Sequence, residues 1–386
     1  MKALKLIFCN LKYFAPAWVF ASLNIAVGTW VLYIPDIKEK IKLDNSQLGL
    51  ALFFLALGTL LMIPLASKII SKLGLGKTTI YSIVTFAILF CFPLLVETYT
   101  GLCIALFFTG IGISLTDIAM NALVSEIEEK DNIHFMSASH GFFSLGGVLG
   151  AGIGTLLLAF FSIPIYHMLT VAILIILSNL ILAKYYFKIP GEKIPRTKLS
   201  LNLNFLKPLL VLTLIAFIVM GSEGAIEHWS KLYLQDVVGI HSNKISGLGF
   251  ILFSIMMTLG RFFGDSVSTN YGSRTVILGS CMISIFGYSC ILTASSIPSI
   301  IGFGLVGLGF SVIIPEVFRL AGKAKGVSAA EGISFVAGFG YLGFLISPAL
   351  LGYLSDLGTL KLSFTGLMIA AIIAVLIATS LKKKGV

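Results

Sequence analysis

Two carboxylates lie inside an apolar stretch that is long enough to cross a bilayer. Residues 208–230 contain Glu223 and Glu227, one helical turn apart. An ionised carboxylate at membrane depth costs several kcal/mol unless it is paired, protonated or reached by water. At a rise of about 1.5 Å per residue, Glu223 lies about 21 Å into the stretch, between the small residues Ser222 and Gly224. We therefore expect Glu223 to bind and release a proton, with Glu227 in the same polar region.

A second polar pair lies in the apolar stretch 100–123. Asp117 and Asn121 are four residues apart, so they share one face of a helix. The helical rise places Asp117 about 25 Å from the predicted outer end of this stretch. We expect this face to contact a substrate or to carry the proton. The alternative is a structural carboxylate that is satisfied by the next stretch, for instance by His140.

Aromatic and amide side chains complete the set of candidate binding residues. The indole of Trp30 could stack on the face of a sugar. Trp30 lies near the outer end of the first span, however, and a Trp at that depth is equally typical of a membrane interface. The same alternative, an interfacial position, holds for Glu227 and Trp229. Glu316 and Arg319, three residues apart beside Pro315, are most simply a local ion pair. The candidate substrate-binding residues are Asn24, Trp30, Asp117, Asn121, His140, Glu223, Glu227 and Trp229, and the candidate proton-coupling residues are Glu223 and Asp117.

The composition requires a bilayer. Hydrophobic residues make up 57% of the 386 positions and charged residues 11%, whereas about a quarter of the residues in soluble domains are charged. Reading for segments of about 20 apolar residues predicts an all-α membrane protein with twelve transmembrane helices. These spans lie at roughly 14–34, 47–67, 78–96, 100–123, 139–161, 164–187, 208–230, 245–264, 275–296, 298–320, 331–353 and 363–381.

Basic residues are distributed unequally between the predicted loops. The net charge is +10, but Lys and Arg are scattered rather than gathered on one face, so no nucleic-acid partner is indicated. With the N-terminus inside, 21 of the 27 Lys and Arg residues lie on the inner side. The positive-inside rule then predicts a cytoplasmic-membrane protein with both termini in the cytoplasm. Arg319 is the single basic candidate near the polar spans, so a strongly anionic substrate is disfavoured.

The chain contains an internal duplication. A polar, basic segment at 188–207 separates six predicted spans in 1–187 from six in 208–386, so we expect two six-helix bundles and a cytoplasmic linker. A shift of about 198 residues brings the halves into register, for example Gly110 on Gly307 and Gly74 on Gly272. Trp30 falls on Trp229 with one residue of slippage. The glycines at 146, 150 and 154 have GxxxG spacing and predict close packing between the two halves.

Two six-helix halves with glycine-containing loops after spans 2 and 8 resemble the major facilitator superfamily over essentially the whole chain. Both loops lack the signature Asp of that family, and Ser71 and Thr269 stand in its place. The resemblance implies that spans 1, 4, 7 and 10 line a central cavity, and that Asp265 could pair with Arg261 instead of the usual relay. The residues expected to act in gating are Lys72, Gly74, Arg261, Asp265, Gly272 and Arg274.

Segments around Asp117, His140, Glu223 and Gly307 are similar to the bacterial fucose-permease-like branch of the superfamily. This similarity implies a secondary active transporter that takes up a small solute with protons by alternating access, with sugars as the first choice. The alternatives are a proton-driven exporter of amphiphilic compounds and a non-transporting sensor or lipid scramblase. We expect a monomer surrounded by membrane lipid, with a small-molecule substrate and no cofactor besides the proton. The spacing of cysteines and histidines indicates neither a metal site nor an enzyme.

Overall fold

The chain folds into helices, which we describe from a computed structural model. It covers residues 2–131, 133, 135–161, 163–190, 206–321, 324 and 329–381. Two compact units are present: one contains residues 1–43 and 50–196, and the other contains 44–49 and 197–386. The helices of the first part of the chain are α1 (Lys2–Cys9), α2 (Leu11–Val31), α3 (Ile34–Ile41), α4 (Asn45–Leu73), α5 (Leu75–Leu89), α6 (Phe92–Leu95), α7 (Tyr99–Asp131), α8 (Met136–Leu157) and α9 (Pro164–Leu182).

The second part of the chain begins with a long helix. Its helices are α10 (Leu206–Asp236), α11 (Asn243–Ser246), α12 (Leu248–Tyr271), α13 (Ser273–Leu292), α14 (Ser296–Phe310), α15 (Ile313–Ala321), α16 (Ala329–Leu357) and α17 (Leu360–Thr379). Most of the predicted linker, 188–207, lies outside the described residues, so the predicted domain boundaries stay a prediction. Within the described part of the chain, twelve helical segments are long and apolar enough to cross a membrane, which confirms the predicted fold class.

Two predicted spans are interrupted just before a proline. The third is divided into α5 and α6, just before Pro93, and the tenth into α14 and α15, just before Pro315. A proline has no N–H to donate and its ring crowds the carbonyl four residues earlier, so the helix breaks on its N-terminal side. Glu316 and Arg319 follow the second break and form the local ion pair that their spacing predicts, at 3.0 Å.

The predicted duplication appears in the way that helices pack. A Cβ on Gly110 of α7 would overlap the carbonyl oxygen of Leu55, and a Cβ on Gly307 of α14 would overlap that of Phe253. The turns repeat as well. Gly74 and Gly272 each precede a helix with positive φ values of 89° and 77°, a backbone conformation that only glycine adopts without strain. Equivalent glycines therefore have equivalent structural roles in the two parts of the chain.

The glycines of the fifth predicted span pack inside one unit. Gly146 and Gly150 of α8 bring its backbone against the carbonyl groups of Ala21 and Ile25 in α2. The expectation that these glycines pack one half against the other was therefore wrong. Small residues at four-residue spacing allow any two helices to approach closely, and the spacing alone does not identify the partner helix.

Gly146→Ala should destabilise the protein by about 1–3 kcal/mol, because the new methyl group would overlap a backbone carbonyl that cannot move independently. Gly152→Ala is the matched control, since no atom of another residue lies within 4 Å of a Cβ built there. It should be neutral or slightly stabilising. Thermal unfolding of the two purified variants in one detergent compares them, and equal melting temperatures would contradict the close packing of α8 on α2.

The acidic residues after the fourth span connect helix ends in the first unit. Glu128 accepts a hydrogen bond from the backbone N–H of Met136 at 2.6 Å, at the start of α8. Asp131 accepts from Lys12 at 2.8 Å and from the Tyr13 hydroxyl at 3.1 Å. The hydrogen bond from Lys12 holds the pKa of Asp131 below its usual value. This acidic run therefore stabilises the ends of α2, α7 and α8.

The second unit includes the first turn of α4. The backbone N–H groups of Asn45 and Ser46 donate to the carboxylate of Asp356 in α16, at 3.2 and 2.7 Å. The side chain of Asn45 also donates to the Ser355 hydroxyl at 2.6 Å. These N–H groups have no acceptor within their own helix, so Asp356 acts as a cap supplied by another helix.

Candidate functional site

The candidate site is built around Glu223, near the middle of α10. One of its carboxylate oxygens lies 3.8 Å from a guanidinium nitrogen of Arg261 in α12. The other oxygen is buried and has no hydrogen-bond partner among the described residues. The two side chains are 20% and 27% exposed. This arrangement leaves one oxygen available for a proton, a water molecule or a substrate hydroxyl while Arg261 compensates the charge.

Unpaired buried polar atoms concentrate on α10. Of the fourteen such atoms in the described residues, five belong to this helix. Ser222 and Trp229 are seven residues apart, as are Glu223 and Ser230, so these four side chains lie along one side of the helix. The fifth is the hydroxyl of Thr213, about three turns earlier. An unpaired buried polar atom costs about 1–3 kcal/mol, so this stripe is a part of α10 whose polar groups a solute or water molecule would stabilise.

A tyrosine from α13 joins this stripe. Tyr288 is fully buried, and it lies close enough to interact with the charge of Glu223. Its hydroxyl lies near that of Ser222, although neither hydroxyl makes a hydrogen bond of normal geometry with a described residue. Both hydroxyls are therefore buried without a hydrogen-bond partner among the described residues.

Glu227 and His228 continue the polar part of α10. Glu227 is half-buried one turn after Glu223, and each carboxylate lies in the field of the other. His228 is buried, and its Nδ1 donates to the carbonyl oxygen of Gly224 at 2.7 Å. Gly224 itself faces the ring of Phe344 in α16, where a Cβ would lie 2.8 Å from that ring. Packing from α16 therefore fixes the helix at the position of the two carboxylates.

Asp117 and Asn121 lie together in the first unit, as their spacing predicts. The side-chain amide of Asn121 donates to the Asp117 carboxylate at 3.2 Å and to its backbone oxygen at 2.9 Å. Both side chains are half-buried. The Asp117 carboxylate thus accepts a hydrogen bond from a residue of its own helix. His140, the partner that the structural alternative suggested, is exposed with its ring edge on Phe20 at 5.1 Å between centroids. The role of this pair stays a prediction.

The remaining candidate binding residues are buried. Asn24 donates to the backbone oxygen of Phe143 at 2.9 Å. Trp30 is 1% exposed and packs against Phe90, and Trp229 is fully buried. The indole nitrogens of both tryptophans lack a hydrogen-bond partner among the described residues. Both nitrogens are therefore buried donors without an acceptor among those residues, and neither ring is exposed as an interfacial anchor would be.

The candidate gating residues lie at the turns after the second and eighth spans. Lys72 is exposed beside Gly74. Arg274, after Gly272, donates to the backbone oxygen of Thr379 at the end of α17, at 2.8 Å. The side chain of Asp265 lies outside what the structure describes, so its expected pairing with Arg261 stays a prediction. Among the described residues, Arg261 forms an ion pair with Glu223.

Sequence reasoning missed Lys231. This lysine is 1% exposed in α10, although it lies one residue beyond the predicted span 208–230. The signal was present, since Glu223, Glu227 and Lys231 are spaced by four residues and so share a helix face. With Arg261 beside Glu223, this buried lysine corrects the expectation that Arg319 is the single basic candidate. An anionic substrate is therefore no longer disfavoured by a lack of basic residues.

Comparisons with known proteins agree with this architecture. A sequence profile of the Major Facilitator Superfamily matches residues 17–330. An uncharacterized transporter of Sinorhizobium fredii is 31% identical over 362 residues, which cover 92% of this chain and 94% of that protein.

Two solved structures are similar in fold. The nucleoside transporter NupG, in a mutant form, has a TM-score of 0.78 at 12% identity and covers 97% of this chain and 100% of its own. The E. coli fucose:proton symporter FucP, also a variant, has a TM-score of 0.66 at 17% identity and covers 97% and 98%. The profile match, the relative and the twelve spans show that this chain is a multi-pass membrane transporter of the major facilitator superfamily and not an enzyme.

Proposed function

We propose that this transporter takes up a small, hydroxyl-rich solute such as a sugar across the cytoplasmic membrane, together with protons, by alternating access. The observation that carries this proposal is the stripe of unpaired polar atoms on α10, which includes a carboxylate oxygen of Glu223. Hydroxyl, indole and carboxylate groups together offer both donors and acceptors, which is the set that a sugar-like solute needs.

Glu223 is proposed as the proton-coupling residue. A carboxylate in an apolar span is tolerated when it is paired or protonated, and Arg261 lies 3.8 Å from one oxygen of Glu223. Binding of a proton to the other oxygen would remove the charge without breaking a hydrogen bond within the described residues. Asp117, which Asn121 already holds, is the second candidate.

Two of the solved structures with a similar fold are transporters of solutes in this class. One structural neighbour is a fucose:proton symporter and another is a nucleoside transporter. Both solutes carry several hydroxyl groups. Their sequence identity to this chain is low, so they support the fold, and the polar atoms of α10 support the substrate class.

A ligand panel with the purified protein tests the proposal. A solute that binds the folded protein raises its melting temperature by mass action. We expect sugars or nucleosides to give the largest shifts and amphiphilic cations to give none. Each positive solute is then offered to everted and right-side-out vesicles. Accumulation in everted vesicles whose lumen is acidic would instead identify an exporter. Binding without transport would identify a sensor.

The proposed orientation places both termini and the central linker in the cytoplasm. We expect an impermeant thiol reagent to label Lys40→Cys, but not Pro195→Cys, in intact cells, since position 40 lies in a predicted outer loop. The background carries Cys9→Ser and Cys290→Ser, because Cys9 is exposed and Cys290 is partly so. Permeabilised cells should show labelling at both positions. Labelling of position 195 alone in intact cells would reverse the orientation.

A further inference from the structure

A cavity of about 440 Å³ lies in the first unit, at the turn between α4 and α5. It is lined by Leu73, Gly74 and Lys77 on one side and by Phe187, Lys188 and Pro190, which follow α9, on the other. The proposed orientation places this turn at the cytoplasmic surface of the membrane. Of the described residues that line it, Gly74 is the one that is also a candidate gating residue, and none is a candidate substrate-binding or proton-coupling residue.

The wall formed by residues 187–190 is held in place by α5. The backbone N–H of Gly76 donates to the carbonyl oxygen of Ile189 at 3.1 Å. A Cβ on Gly76 would overlap the carbonyl of Tyr186, so the two backbones are in direct contact. Tyr186 is buried, and the ring of Phe187 packs against that of Tyr81. The cavity is thus a built feature of the fold rather than a gap beside a loose segment.

The charge at the cavity is positive. Lys77 and Lys188 are both exposed at its walls, and the ammonium group of Lys77 lies 5.8 Å from the centroid of the Phe187 ring. Among the residues that the structure describes, none of those lining the cavity is acidic. Two ammonium groups at the rim of a concave surface favour an anionic group such as a phosphate.

The helices that flank the cavity are apolar on the outside. Tyr81 in α5 is 51% exposed, and Ile181, near the end of α9, is 66% exposed. Leu73, in the wall of the cavity itself, is also exposed. In a protein that spans a membrane, such side chains face lipid acyl chains. A ligand that fits both features has an anionic head for the lysines and an apolar tail for these helices.

We infer that this cavity binds the headgroup of an anionic phospholipid from the cytoplasmic leaflet. Basic pockets between spans on this side of a membrane bind such headgroups, and anionic lipids are available there. Lys77 and Lys188 contact the phosphate, and the acyl chains lie along α5 and α9. The site joins the turn that carries Gly74 to the end of the sixth span, so an occupied site stabilises the first unit.

Thermal unfolding of the full-length protein in detergent tests this assignment. Phosphatidylglycerol should raise the melting temperature, whereas phosphatidylcholine with the same acyl chains should not. The double variant Lys77→Gln with Lys188→Gln should weaken the response to phosphatidylglycerol by on the order of tenfold in half-saturating concentration. The control, Lys5→Gln with Lys68→Gln, loses the same charge from exposed lysines outside the cavity and should respond like the wild type.

Several outcomes would overturn the assignment. An equal response of the two double variants would show that the lipid responds to the overall charge of the protein and not to the two lysines of the cavity. A full response to inorganic phosphate or glycerol phosphate would identify a soluble anion site instead of a lipid site. If the Lys77 and Lys188 variant does not fold, the two single variants are measured in its place, and a wild-type response in both would also contradict the assignment. None of these results depends on the transported solute.

Discussion

Glu223→Gln should abolish accumulation of the solute against its gradient and leave solute exchange between equilibrated compartments partly intact. A glutamine is permanently neutral, so it imitates the protonated carboxyl group and cannot release the proton. The carrier can then change conformation with solute bound, but a pH gradient no longer biases the exchange. The structural reason is that one Glu223 oxygen has no hydrogen-bond partner among the described residues, while Arg261 lies 3.8 Å from the other.

Uptake of labelled solute into vesicles with and without an imposed pH gradient measures this effect. The loss of accumulation should be at least tenfold, whereas exchange should fall by less. Glu39→Gln is the matched control, since Glu39 is exposed outside the spans and should not affect either activity. Gradient-driven uptake by Glu223→Gln at the wild-type rate would transfer the coupling role to Asp117 or Glu227.

Asp117→Asn should reduce transport at least tenfold while the protein remains abundant in membranes. The substitution removes a charge but keeps the size of the side chain, and Asn121 can still donate to the remaining carbonyl oxygen. The fold therefore loses little, because the hydrogen bond lies within a single helix. The measurement pairs uptake with the amount of folded protein and its melting temperature.

Asn121→Ala distinguishes positioning from direct contact at this site. If Asn121 positions the Asp117 carboxylate, Asn121→Ala should impair transport and add little to the defect of Asp117→Asn. Loss of folded protein in parallel with activity in Asp117→Asn would favour a structural role for the carboxylate. Full activity would remove Asp117 from the site.

The fold follows from the sequence because each part of it has a local signal. Twelve apolar segments predict the spans, and a common offset between glycines predicts the duplication. In the structure, Gly110 and Gly307 each lie against a backbone carbonyl of a neighbouring helix, as equivalent residues should. The interruptions of two spans follow from the missing N–H of Pro93 and Pro315. These features depend on segment length, backbone geometry and residue size, which a sequence displays directly.

The site is less predictable because it depends on how helices are rotated against one another. The pairing of Glu223 with Arg261 joins two helices, and no spacing within either helix encodes it. The burial of Trp30 against Phe90 likewise depends on the rotation of α2 against the segment around residue 90. The face shared by Asp117 and Asn121 was predictable, since both lie on one helix four residues apart. The position of Lys231 on the same helix face as Glu223 and Glu227 could also have been predicted, from its spacing alone.

The most direct test of proton-coupled uptake is a paired flux measurement in proteoliposomes that contain a pH-sensitive dye. The solute identified by the ligand panel is added outside at equal pH on both sides, with the membrane potential clamped. We predict that the wild type acidifies the lumen as the solute enters, and that Glu223→Gln shows solute entry without acidification. Solute entry by the wild type with no change of luminal pH would contradict the proposed coupling.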